Sequence, residues 1–227
     1  MILIRGESMT EEPYKRKKSL WVRDINVEAE VARFLDEYFY SREADDFIRY
    51  KDKTEQLKGK DVKLSWGNLK GILIDEKAIS HYINKNIPTF AFEISGMFSG
   101  KRSEGWLFDE KKETEYYLCI WIWADRSWNP SFEDITKLEC LLIKRKDIVN
   151  YLEEEGFTKD RICDIETKVR QDMVSGPVDK GKHKYIYFYN TTRLVEKPFN
   201  VIIRKEKLKE LAVRHFIVTK EGYKEQQ

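Results

Sequence analysis

Asp61, Asp75 and Lys77 are two carboxylates and an amine at the ends of two short, strand-like runs. Asp61 opens the run Asp61–Trp66. Asp75 and Lys77 close the run Lys70–Ala78, directly after the apolar Ile72, Leu73 and Ile74. Gly67-Asn68 between the runs reads as a turn, so the two runs form a hairpin. The start of one strand then lies beside the end of its antiparallel partner, and Asp61 meets Asp75. Side chains alternate faces along a strand, so Asp75 and Lys77 point one way and Glu76 the other. Two carboxylates in one small volume repel each other. Lys77 offsets part of that repulsion, and a divalent cation would offset more. Mg²⁺ takes hard oxygen ligands, one or two carboxylates with waters and phosphate oxygens, and Mn²⁺ is the alternative ion. The Glu76 backbone carbonyl is a further candidate ligand. Water held by such a cation becomes more acidic, and Lys77 could orient that nucleophile or stabilise charge on a phosphate. The chemistry permitted is metal-dependent hydrolysis of a phosphodiester. The competing reading is a cross-strand salt bridge worth roughly 0.2–1 kcal/mol.

The elements that must position these residues are legible in outline. In residues 24–43, Val27, Val31, Phe34, Leu35 and Tyr38 recur at helical spacing, with Asp24 or Asn26 as cap. Residues 43–58 are mixed and charged, with Phe47, Ile48 and Tyr50 as anchors. A short helix is expected over 78–85, and residues 88–95 form a strand alternating Phe90 and Phe92 with Ala91 and Glu93. Residues 96–114 read as a long loop or hairpin. Residues 115–124 (EYYLCIWIWA) are apolar enough for a strand buried on both faces. A strand over 138–144 and a helix over 146–157 ended by Gly156 follow. Another helix over 158–173, short strands over 184–190 and 200–204, and a final helix over 205–216 complete the chain. The expectation is an α/β core over 20–145, a loose leader over 1–19, and an appended α/β extension over 146–227.

Of the 227 residues, 41% are hydrophobic and 13% aromatic, enough for a substantial core, and 36% are charged. The formal net charge is only +2, so net charge does not single out a nucleic-acid binder. Basic residues are clustered, however. Lys182, Lys184 and Arg193 flank Tyr185, Tyr187 and Tyr189, which alternate and so share one face; Lys182, Lys184 and Tyr187 are the candidate nucleic-acid contacts outside the core. Cys119, Cys140 and Cys163 are widely spaced without a CxxC, which suits a reducing cytoplasm. His81, His183 and His215 lack metal-ligand spacing, which argues against a zinc enzyme. No apolar run reaches the ~18 residues of a membrane span.

Asp61, followed by the apolar lead-in to Asp75-Glu76-Lys77, resembles the PD-(D/E)xK nuclease superfamily, the fold of many restriction endonucleases, and bacterial and phage proteins within it. Lys60 stands where that pattern carries a proline. The resemblance covers residues 26–125 and implies an α-β-β-β-α-β core with a mixed central sheet flanked by helices. It implies a nuclease acting on DNA in preference to RNA, with Asp61 and Asp75 binding Mg²⁺ and Lys77 catalytic. It also implies an additional glutamate from the first helix, Glu30 first and Glu28 second, with Gln56, Glu93 and Trp106 as neighbours of the site. Cleavage of both strands would call for a homodimer. The alternative is a binding module on the same fold that holds nucleic acid or a protein without cutting.

Overall fold

A computed structural model describes residues 12–226. The leader expected over 1–19 lies outside the described residues as far as residue 11; from Glu12 the chain is helical. Helix α1 (Glu12–Leu35) buries Val27, Val31, Phe34 and Leu35, the stripe its spacing requires. It runs into a π-helical turn, Asp36–Tyr40, and a last short turn, α2 (Ser41–Glu43). The wider π turn rotates the stripe so that the consecutive Phe39 and Tyr40 are both buried. The charged stretch that follows holds β1 (Asp46–Arg49) and α3 (Lys53–Leu57). Phe47 packs on the core, whereas Ile48, expected as an anchor, is 51% exposed.

β2 (Val62–Trp66) and β3 (Leu69–Ala78) form the expected hairpin, turning at Gly67 with φ +59. β3 next pairs in parallel with β6 (Tyr116–Ala124), Asp75 opposite Tyr117 and Lys77 opposite Cys119. The crossover between these parallel strands holds a 3₁₀ turn, Ser80–Tyr82, and the hairpin β4 (Thr89–Phe98) and β5 (Lys101–Glu104), where the expected core has a helix. Then come β7 (Ile135–Lys144), α4 (Arg145–Glu154), α5 (Lys159–Gln171), β8 (Gly176–Val178), β9 (Ile186–Asn190), β10 (Phe199–Arg204), α6 (Lys205–Leu211), β11 (Ala212–Thr219) and β12 (Gly222–Glu225).

The strands make two sheets, ordered β1-β2-β3-β6-β7-β11-β12 and β5-β4-β10-β9-β8. The protein is therefore a mixed α/β fold with a mixed main sheet. Residues 146–226 supply β8 to β10 of the second sheet and β11 and β12 of the first. β10 pairs with β4 and β11 with β7, so the expected extension is woven into both sheets. The final helix stops at Leu211, five residues before expected. Ala212 turns extended because β7 has an open edge, and Val213, Ile217 and Val218 suit a strand beside it.

β6 is the common wall of two cores. Tyr116, Leu118, Ile120 and Ile122 face α1, while Tyr117, Cys119 and Trp121 face the second sheet. Both faces are buried, as the unbroken apolar run requires. Among the described residues no helix is long and apolar enough to cross a membrane.

Candidate active site

β2 and β3 are paired only as far as Val62 opposite Ile74. Beyond that point β3 continues through Asp75 to Ala78 with β6 beside it. At this fork the Asp61 carboxylate accepts the Glu76 backbone N–H at 2.8 Å, and the Asp61 N–H donates to the Ile74 carbonyl at 2.9 Å. Gly59 aims the approach. Its φ of +75 favours glycine, the Thr114 hydroxyl donates to its carbonyl at 2.8 Å, and a Cβ there would collide with that hydroxyl.

Asp75 and Lys77 point to one face of β3, as alternation requires, and join through Nζ and Oδ1 at 2.7 Å. Asp75 is 3% exposed. Lys77 Nζ also stands 5.3 Å from the centroid of the Trp106 ring. Trp106 reaches it because Gly105 lies against β4, where a Cβ would sit 2.5 Å from the Glu93 carbonyl oxygen. Burial pushes the Asp61 carboxyl up to about 8, and Asp75 and then Glu76 add to the rise against Lys77 and the Glu76 N–H. Burial works against the Lys77 charge, but Asp75, Asp61 and Glu28 outweigh it, and its pKa rises.

Glu76 points to the opposite face, into the α1 side. There the Tyr40 hydroxyl donates to Oε1 at 2.7 Å and Arg49 Nη1 to Oε2 at 2.6 Å. Arg49 also donates from Nε to Asp36 at 2.9 Å. The π turn delivers Asp36 and Tyr40, and the end of β1 delivers Arg49. This clamp holds the middle residue of the Asp75-Glu76-Lys77 triplet. Sequence reasoning missed it because Arg49 is one of 42 basic residues. The available signal was Glu76 itself, which had to meet a cation once it faced a core.

α1 contributes Glu28 and not Glu30. The Glu30 carboxylate accepts the Phe132 backbone N–H at 2.9 Å and so caps a 3₁₀ turn at Phe132–Asp134. Glu28 stands at the wall of the cleft beside Lys77. Desolvation there raises its pKa, Lys77 opposes the rise, and Asp24 and Asp75 add to it. Glu93 is also drawn in. Burial raises its pKa and Lys77 is the largest opposing influence. Gln56 is not part of the site; it is exposed and donates from Nε2 to the Tyr50 carbonyl at 3.2 Å.

A cavity of about 680 Å³ opens from Lys77, Glu28 and Trp106 across the outer face of the second sheet. Tyr187 and Tyr189 line it, as alternation along β9 predicts. Besides Lys77, the cations lining it are Lys180 and Arg204 rather than Lys182 and Lys184. Lys182 pairs with Asp179, and Lys184 lies 4.4 Å from the centroid of the Tyr185 ring, which packs on the second core.

Among the described residues no three His, Cys, Asp or Glu side chains are gathered closely enough to hold a metal on their own. The donor set nevertheless fits a hard cation that keeps most of its waters. Asp75 is buried and Asp61 half-buried; Asp75 raises the Asp61 pKa, and Lys77 opposes that rise while pairing with Asp75. Comparison with known proteins returns no matching family model, no matching curated protein and no matching solved structure.

Proposed function

We propose that the protein is a Mg²⁺-dependent nuclease with a restriction-endonuclease-like core, and that Mn²⁺ can replace Mg²⁺. The observation that carries this reading is the convergence of Asp61, Asp75 and Lys77 where β2 and β3 part. In support of this reading, the chain runs α1, β1, α3, β2, β3 and a parallel β6, although a β4–β5 hairpin stands where the superfamily core has a helix. Asp61, Asp75 and the Glu76 carbonyl would hold the cation, which supplies positive charge against a phosphate and acidifies a water. Lys77 opens into the cavity and would orient the attacking water or neutralise the phosphate. Glu28 and Glu93 would tune Lys77, and the Arg49–Glu76 clamp would keep β3 in register. DNA in preference to RNA and a homodimer for two-strand cleavage follow from the same resemblance, and a cytoplasmic location from the widely spaced free cysteines.

The test incubates the protein with plasmid, linear and single-stranded DNA and with RNA, in Mg²⁺, Mn²⁺ or EDTA. Cleavage with metal, none in EDTA, and none in folded Asp75→Ala and Lys77→Ala variants is expected. Cleavage at the wild-type rate in both variants would refute the assignment. A second reading, a binding module that does not cut, is favoured by the Lys77–Asp75 ion pair covering the buried carboxylate. It predicts binding without cleavage under every metal condition.

A further inference from the structure

The outer face of the second sheet has a composition that hydrolysis at Lys77 does not explain. Across β4, β10 and β9, Ala91, Ile202 and Tyr187 stand in one row and Glu93, Asn200 and Tyr189 in the next. Their neighbours along each strand, Phe90, Phe92, Val201 and Phe188, point inward and are buried. Tyr187 and Tyr189 therefore face outward from one strand, their Cα atoms about 7 Å apart. Both line the cavity that begins at Lys77. Lys180 Nζ lies 5.8 Å from the centroid of the Tyr187 ring. Tyr82 is 48% exposed on the same cavity. The charged side chains on its described lining are Lys77, Lys180 and Arg204 against Glu28, with His81 beside them. Asp75 engages Lys77 and Glu93 stands on the same face, so Lys180 and Arg204 are the cations beside the rings, an arrangement that suits a polyanion carrying flat aromatic groups.

We infer that this face is a stacking platform for the unpaired bases of a single-stranded nucleic acid, whose backbone Lys180 and Arg204 hold and lead towards Lys77. The inference rests on the nuclease reading for what happens at Lys77, but not for the binding itself. Bases in a duplex keep their faces covered by their neighbours, so only an unpaired strand can lay them on Tyr187 and Tyr189. Exposed sheet faces bearing aromatic residues bind RNA and single-stranded DNA in this way.

The test measures fluorescence anisotropy of a labelled short oligothymidylate with the full chain in EDTA, so that cleavage plays no part. Parallel arms use oligouridylate, a duplex of equal length, and a single strand of abasic sites that keeps the phosphates and lacks the bases. A base-bearing strand, deoxy or ribo, should bind about tenfold or more tighter than the abasic strand and the duplex. Tyr187→Ala with Tyr189→Ala should lose that advantage, and the corresponding phenylalanine pair should keep it. The abasic comparison needs no variant and stands even where the alanine pair fails to fold. Equal affinity for abasic and base-bearing strands, a preference for the duplex, or failure of both oligonucleotides to bind overturns the platform. If the strand binds but Mg²⁺ brings no cleavage, the nuclease reading fails and the platform stands. Metal-dependent cleavage with no preference for bases has the opposite meaning.

Discussion

Replacing Asp61 with asparagine should make the protein more stable at pH 8 than the wild type, and no more stable at pH 4. The Asp61 carboxyl is pushed up to about 8, first by burial and then by Asp75 and Glu76. In the unfolded chain it has the ordinary aspartate value, about 3.9. Between those two values the folded state holds a proton that the unfolded state has released, so stability falls as pH rises. The steepest possible loss is ~1.4 kcal/mol per pH unit, which sets a ceiling of ~4 kcal/mol at pH 7. Relaxation around a partly accessible carboxylate brings the expected loss to about 2 kcal/mol. Asparagine keeps the acceptor for the Glu76 N–H and carries no charge, so the variant lacks the penalty at every pH. For a chain of this length 1 kcal/mol moves the melting temperature by about 2–4 °C. The assay is thermal melting of both proteins in EDTA at successive pH values from 4 to 8. The melting temperatures should coincide at the acid end and separate by several degrees at pH 8, with the variant higher. Adding Mg²⁺ at pH 8 should raise the wild type towards the variant and leave the variant nearly unmoved. Parallel pH profiles for the two proteins would refute the placement of Asp61 beside Asp75, and stabilisation of both by Mg²⁺ alike would remove the cation from this site.

Three further outcomes separate the residues around the site. Glu28→Gln should lower metal-dependent cleavage while leaving the melting temperature near wild type, because Glu28 stands beside Lys77 at the cleft wall. Glu30→Ala should leave cleavage intact and cost about 1 kcal/mol of stability through loss of the Phe132 cap; the reverse pattern in a paired nuclease assay and melt would restore Glu30 to the site. Arg49→Met leaves Glu76, whose side chain is 8% exposed, without its ionic partner and should destabilise the fold by about 3–5 kcal/mol. Urea unfolding measures this directly, and a loss below ~1 kcal/mol would mean that the clamp does not hold β3.

The sequence by itself determined the features that depend on neighbours along the chain. The stripe Val27–Leu35 requires a helix with one buried face. Gly67-Asn68 between two apolar runs requires a hairpin. The period of two places Asp75 and Lys77 together and Glu76 behind them, and the unbroken apolar run of β6 requires two covered faces. Those rules are local, and each survives in the folded molecule. Only the tertiary structure decided what depends on partners far away in sequence. Glu28 and Glu30 are two positions apart on α1, and what separates their roles is the Phe132 N–H, 102 residues from Glu30. Residues 212–216 continue a helical pattern, yet the open edge of β7 draws them into a strand. The basic cluster around Tyr187 offers several lysines, and the path of the chain before β9 brings Lys180 to the cavity while Lys182 turns to Asp179. Arg49 meets Glu76 because a π turn and a short strand converge on it. Periodicity encodes which way a side chain faces. What it meets there is set by chain segments that the local pattern does not contain.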